Sequence, residues 1–231
     1  MKLSEEMKNK TLLSFELFPP KTEKGLQNLP GTIDHLMKYN PSYIPCTYGA
    51  GGGNVGANRE VCQMIKNAGT TPVTHFTVIK NTKEGIKEQL DQYLADGVDH
   101  MLALRGDIPL GETTTCGDFD YATDLVKFVR DTYGDKFEIA VAGSPEGHIS
   151  CRSLESDIAV LKQKQDNGAD DIMTQLCWDM EQFKYWLDAI RKAGITMPVD
   201  VGVMPILDQA ATINMALSRN GCVMERELSR L

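Results

Sequence analysis

ADGVDHMLALRG, residues 95–106, is the stretch on which the fold turns. Ala95-Asp96-Gly97 reads as a helix end, because a glycine just past the last helical residue takes the left-handed conformation that stops the helix. A β-rich run, His100–Gly106, begins three residues later. The same order recurs along the chain. Asn67-Ala68-Gly69 precedes PVTHFTV at Pro72–Val78, and Asn167-Gly168-Ala169 precedes DIMTQLCW at Asp171–Trp178. Lys192-Ala193-Gly194 precedes PVDVGVMP at Pro198–Pro205, and Asp131–Lys136 leads into EIAVAG at Glu138–Gly143. Between these runs, apolar residues fall at helical spacing over Leu26–Lys38, Thr82–Asp96 and Leu154–Gln165. Repeating helix–glycine–strand units are the sequence form of a parallel sheet with helical crossovers.

Seven strands are read, starting near residues 12, 43, 72, 100, 138, 171 and 198. The fold class is α/β, a (β/α)8 TIM-type barrel. Such a barrel needs eight strands, so the eighth βα unit is expected to be missing from this chain. An amphipathic stretch, Asp208–Leu217, follows the seventh strand. With no linker and no shift of composition, residues 1–231 are expected to form a single, incomplete barrel domain. The net charge of −8 argues against a nucleic-acid or anionic-membrane partner. The polar N-terminus and the lack of a long apolar run lead to an expectation of a cytoplasmic location. The cysteines Cys46, Cys62, Cys116, Cys151, Cys177 and Cys222 show no zinc spacing, so no metal is expected and the thiols are read as reduced.

The first strand, LLSFELFPP at Leu12–Pro20, is stopped by Pro19-Pro20. Alternation puts Ser14, Glu16 and Phe18 on one face and Phe15 and Leu17 on the other. Glu16 thus stands in an apolar run without a basic neighbour in sequence. Burial there is expected to raise its pKa, with a structural hydrogen bond as the plainer alternative. In a barrel of this kind, function collects at the C-terminal strand ends. Those ends hold Glu16, Thr47 and Tyr48, His75, Arg105-Gly106-Asp107, Gly143-Ser144 with the following Pro-Glu-Gly-His148, and Gln175. An acid, bases and amide donors converging on one mouth make a candidate binding or catalytic site. Gly51, Gly53 and Gly56 also fit the GxGxxG dinucleotide pattern, but no acid ends the next strand, HFTVIK.

SFELFPP, TYGA at Thr47–Ala50, ALRGD at Ala103–Asp107, PEGH at Pro145–His148 and Thr174-Gln175 occur in the order and spacing of methylenetetrahydrofolate reductases. The sequence resembles that family from about Leu12 to the seventh strand, and its triple glycine is most similar to members from clostridia-like bacteria. The resemblance implies a flavin-dependent barrel, with FAD, that reduces 5,10-methylenetetrahydrofolate to 5-methyltetrahydrofolate in one-carbon and methionine metabolism. It implies Glu16 as general acid and Asp107 as the carboxylate beside flavin and folate. Thr47 and Gln175 match contacts to pterin or nicotinamide. Tyr48, Ala50, His75, Arg105, Gly106, Tyr121, Ala122, Ser144, His148, Asp157 and Lys164 match flavin-site positions.

The sequence departs from many relatives in having Ser144 for an aromatic, Val160 and Gln163 for polar or basic groups, and Ala211 and Met215 beyond the seventh strand. The implied electron source is NADH, reduced ferredoxin or a flavoprotein. A partner subunit or a homo-oligomer is also compatible with the resemblance. The alternative reading is a degenerate flavin-binding barrel serving as a subunit of a larger redox complex.

Overall fold

The computed structural model describes residues 2–48, 55–108, 111–208, 210, 212 and 213. The chain falls into two compact units, Met1–Ala140 and Val141–Leu231. The boundary lies inside the fourth strand.

In the first unit the elements run α1 (Leu3–Met7), α2 (Glu23–Met37), β1 (Tyr43–Cys46), α3 (Val55–Asn67), β2 (Thr71–Thr77), α4 (Lys83–Ala95), β3 (His100–Leu104) and α5 (Ala122–Tyr133). β1 pairs with β2 and β2 with β3, all parallel, with Cys46 opposite Thr74 and His75 opposite Leu102. The run expected as a first strand makes only two parallel bridges, Ser14 with Tyr43 and Leu17 with Cys46. Two prolines end it before a ladder can extend. The core lies between strands and helices. Tyr43, Ile44, Val61, Ile65, Phe76, Ile86, Leu90 and Val129 are fully buried there. In α4, Ile86, Leu90 and Tyr93 share the inward face that helical spacing dictates. The Thr82 hydroxyl accepts from Gly85 N, and Asp118 accepts from Lys83 N, so the first turn of α4 is satisfied.

β4 (Glu138–Gly143) starts in the first unit, where Glu138 N donates to Asp99 O at 2.8 Å. The second unit continues with α6 (Leu154–Asp166), β5 (Asp171–Thr174), α7 (Met180–Lys192) and β6 (Val199–Asp200). β5 and β6 are parallel. Ser153 caps α6, and Asp179 caps α7 by accepting from Glu181 N and Gln182 N. Gly143 is a steric requirement, since a Cβ there would lie 2.6 Å from Ile172 and 3.1 Å from Trp186.

The strands neighbour one another in chain order, β1 to β6. This is the order of a barrel sheet, not the 3-2-1-4-5-6 order of a dinucleotide-binding Rossmann sheet. The glycine-run alternative is thereby set aside, although residues 49–54 themselves lie outside the described residues. Gly69, Gly97, Gly168 and Gly194 all have positive φ, as the repeated helix stops require. Most of Asp208–Leu217 lies outside the described residues. No described helix is long and apolar enough to cross a membrane.

At the N-terminal ends of β3 and β4 the first unit carries a charged clamp. The Glu138 carboxylate accepts from Leu3 N at 2.8 Å and Ser4 N at 2.6 Å, the opening of α1. His100 Nε2 lies 2.7 Å from the same carboxylate, and His100 Nδ1 lies 2.7 Å from Asp99. Burial alone would lower the His100 pKa, but its two carboxylate partners outweigh burial and raise it to about 9. Glu138 is likewise penalised by burial, yet His100 and the α1 amides hold it down at about 2.

Candidate functional site

The C-terminal strand ends of the first unit bring Glu16 and His75 together. Phe15 packs edge-on against Tyr39 and Leu17 is buried, so alternation leaves Glu16 on the opposite face. The Glu16 carboxylate lies 3.7 Å from His75 Nε2. The expectation of a buried Glu16 is not met, because its side chain is 48% exposed. Two isolated bridges are too little sheet to enclose it, and the strand ends in open space before Pro19. His75, two strands away in the register, is buried, and burial pulls its pKa down to about 4. Its imidazole is neutral at physiological pH.

Thr47 and Tyr48 follow β1. Thr47 N donates to Leu17 O, tying β1 to the preceding run. The Tyr48 side chain is turned into the core, its ring 5.9 Å from that of Phe76 and its hydroxyl donating to Gln89 at 3.0 Å. Burial pushes its pKa up to about 12. Tyr48 therefore presents backbone, not ring, at the strand end. Ala50 lies outside the described residues.

Gly106 has a φ of +86°, and a Cβ there would sit 3.1 Å from both Thr77 and Ile79. Arg105, half-buried, donates through Nε to Gly106 O. Asp107 is exposed and has no hydrogen bond or ion pair among the described residues. Tyr121 is exposed at the N-cap of α5, with Asp124 accepting from its backbone N, and Ala122 opens that helix.

In the second unit, Ser144–Gly147 form a turn at the end of β4, closed by Gly147 N donating to Ser144 O. Asp157, in the first turn of α6, then collects two groups: His148 N donates to its carboxylate at 3.1 Å, and the Cys151 thiol donates at 3.6 Å. Lys164, two turns further along α6, reaches back to donate to Ala142 O at 3.0 Å. Burial lowers its pKa, and the charge of Asp157 opposes that fall. Gln175 N donates to Gly143 O, and its side-chain oxygen accepts from Leu176 N. His148, Asp157 and Lys164 are thus one polar cluster, and Gln175 extends from the neighbouring strand. Val160 and Gln163 are exposed on α6, while Ala211 and Met215 lie outside the described residues.

Two polar groups escaped the sequence reading. Thr77 has a buried hydroxyl with no hydrogen-bond partner among the described residues. It stands two residues after His75 on the same strand face, so alternation from His75 was the available signal. Asn58 is the other. Its amide donates to Cys46 O and Thr47 O at 3.0 Å, while its oxygen accepts from Thr74 at 2.8 Å and Tyr93 at 2.6 Å. Little in the local sequence marks it, because apart from the Cys62 thiol, four residues on, its partners lie 11 to 35 residues away along the chain.

Two curated sequences and one solved structure resemble this chain. The chain is 38% identical over 219 residues to methylenetetrahydrofolate reductase (NADH) 1 of Arabidopsis thaliana, a match covering 89% of this chain and 37% of that one. It is 34% identical over 202 residues to the 5,10-methylenetetrahydrofolate reductase of Salmonella typhimurium, covering 87% and 67% respectively. The chain therefore spans little more than a third of the plant protein. Among solved structures, an uncharacterized protein from Clostridium thermocellum that binds two copies of 5-methyl-5,6,7,8-tetrahydrofolic acid shares the fold with a TM-score of 0.68. That match covers 99% of this chain and 78% of that one at 13% identity. The sequence profile of the methylenetetrahydrofolate reductases matches residues 2–221, and the chain belongs to the methylenetetrahydrofolate reductase family.

Proposed function

We propose that this protein reduces 5,10-methylenetetrahydrofolate to 5-methyltetrahydrofolate with FAD as its cofactor, Glu16 serving as general acid. The observation that carries the reading is the position of Glu16: a carboxyl at a strand end, open to a ligand on one side and 3.7 Å from a neutral imidazole on the other. The residues present suit a flavin. Thr77 Oγ1 is a buried polar atom lacking a hydrogen-bond partner among the described residues. Gly106 leaves backbone, without a side chain, at the adjoining strand end. The flavin, when bound, supplies the hydride for the methylene carbon.

The chain's own residues do the rest. Glu16 donates its proton to the folate nitrogen that is released as the methylene bridge opens. The exposed Asp107 carboxylate offers a negative charge to the cationic carbon–nitrogen centre created by that opening. Thr47 and Gln175 are assigned to pterin or nicotinamide. Arg105, His148 and Lys164 are assigned to the cofactor phosphates, and Asp157 to its ribose or adenine. Tyr48, Ala50, Tyr121, Ala122 and Ser144 are assigned to its remaining contacts. NADH, reduced ferredoxin or a flavoprotein supplies the electrons, in the cytoplasm. The shared fold of a folate-binding protein supports the substrate class, and the family supports the reaction.

A visible spectrum of the purified full chain tests this. A flavin spectrum bleached anaerobically by 5-methyltetrahydrofolate is expected, and a colourless protein overturns the reading. Glu16→Gln should keep its flavin and its reduction by donor while folate turnover falls by about 100-fold or more, the usual worth of a general acid. Unchanged folate turnover would remove Glu16 from that role.

A further inference from the structure

We propose that His75 is the positioning residue for Glu16, an uncharged hydrogen-bond donor that orients the acid without taking its proton. The inference rests on the reading of Glu16 given above. Its basis is geometric. His75 lies on β2 with its side chain almost wholly enclosed, and its Nε2 is a buried polar atom without a hydrogen-bond partner among the described residues. That atom faces Glu16 Oε2 at 3.7 Å, just beyond hydrogen-bond range. Contacts of this kind tighten when a ligand fills the site and excludes water. In the Nε2-protonated tautomer, a small rotation of the half-exposed Glu16 side chain closes the bond.

A neutral partner is what a carboxylic acid in this place needs. A general acid working near neutral pH must hold its proton until the substrate nitrogen takes it. A cation within about 4–6 Å lowers a carboxyl pKa by about one to three units and would strip Glu16 of that proton. Enclosure keeps the His75 imidazole uncharged down to about pH 4. The other titratable groups nearby fit the same arrangement. Cys46 on β1, which senses the Glu16 charge, is held as a neutral thiol by its hydrogen bond with Cys62 and by burial. Arg105 and Asp107 follow β3, where Arg105 is turned to Gly106 O and Asp107 is exposed. His75 can therefore hold Glu16 in one orientation while leaving it protonated.

The test compares wild type, His75→Gln and His75→Lys in the full chain. The rate at which 5,10-methylenetetrahydrofolate reoxidises the reduced flavin is followed from about pH 5 to 9, beside the rate of flavin reduction by donor. His75→Gln, a neutral donor, should keep the wild-type pH profile with a modest loss of rate. His75→Lys should move the limb assigned to Glu16 by about one to three pH units toward acid, and should slow the folate step more than the donor step. Superimposable pH profiles for all three proteins overturn the proposal.

If the variants do not fold, the wild-type protein still decides. Carbon-13 spectra of labelled glutamate and histidine, assigned with Glu16→Gln, should show a neutral His75 throughout the range in which Glu16 titrates. A His75 that is protonated while Glu16 is ionised overturns it. Failure of wild type to pass hydride to the folate refutes the proposed function instead, and the spectra then judge the pairing separately.

Discussion

Glu138→Gln should loosen the clamp on α1 and cost about 3 kcal/mol of stability at neutral pH. The carboxylate is only 4% exposed, accepts from Leu3 N and Ser4 N, and forms an ion pair with His100 Nε2 at 2.7 Å. The amide keeps one acceptor oxygen but turns an N–H toward one of those donors. Removing one partner of a buried ion pair costs about 3–5 kcal/mol, because the other charge is left uncompensated. Proton linkage sets the upper bound. A rise of the His100 pKa from 6.5 to about 9, which Asp99 and Glu138 produce together against burial, corresponds to about 3 kcal/mol at 1.36 kcal/mol per unit, and Glu138 supplies part of it. The matching fall of Glu138, from 4.5 to about 2, describes the same pair and is not added to it.

The sign follows from the two directions. The raised His100 pKa contributes stability that is full below 6.5 and lost as pH rises through about 9. The depressed Glu138 pKa contributes stability that is full above 4.5 and lost as pH falls through about 2. The clamp is thus strongest between about pH 4.5 and 6.5. Urea denaturation from pH 5 to 9 is the assay, with hydrogen exchange at the Leu3 and Ser4 amides as a local probe. Wild type should lose stability across pH 6.5–9, and Glu138→Gln should start lower and lose less over that range, since Asp99 still holds His100. A variant within about 0.5 kcal/mol of wild type, or one with the same slope against pH, would refute the reasoning.

Two further outcomes follow from packing. Asn58→Asp preserves shape but turns an oxygen toward the carbonyls of Cys46 and Thr47, so a loss of about 3 kcal/mol or more is expected in denaturant titration. A variant as stable as wild type would mean that those bonds are not needed. Gly143→Ala should cost about 1–3 kcal/mol by overpacking against Ile172 and Trp186, and pairing it with Trp186→Phe should recover part of that loss.

The helix–glycine–strand rhythm was readable because it is local: each stop needs one glycine with positive φ, within a few residues of the strand it precedes. The weak first strand was readable in place but not in strength, since Pro19-Pro20 announces its end without saying how few bridges come before. Glu16 was found by its face of the strand. Its exposure was not, because enclosure depends on elements far along the chain. Tyr48 matched a motif position, yet whether its ring or its backbone faces the site depends on Gln89, 41 residues away. The Glu138 clamp joins residues 134 and 135 positions apart, a separation at which no periodicity carries information.

Asn58 also determines where β1 stops. Successive carbonyls of an extended strand point toward opposite edges, so one amide that captures both Cys46 O and Thr47 O obliges the backbone to bend there. The ladder with β2 ends at the Cys46–Thr74 pair, and the chain leaves the sheet at Thr47. A side chain in the first turns of α3 thus sets the direction in which Thr47 and Tyr48 depart. Evolutionary or laboratory change at residue 58 should therefore register first as altered backbone geometry at the end of β1, before it registers as a lost fold.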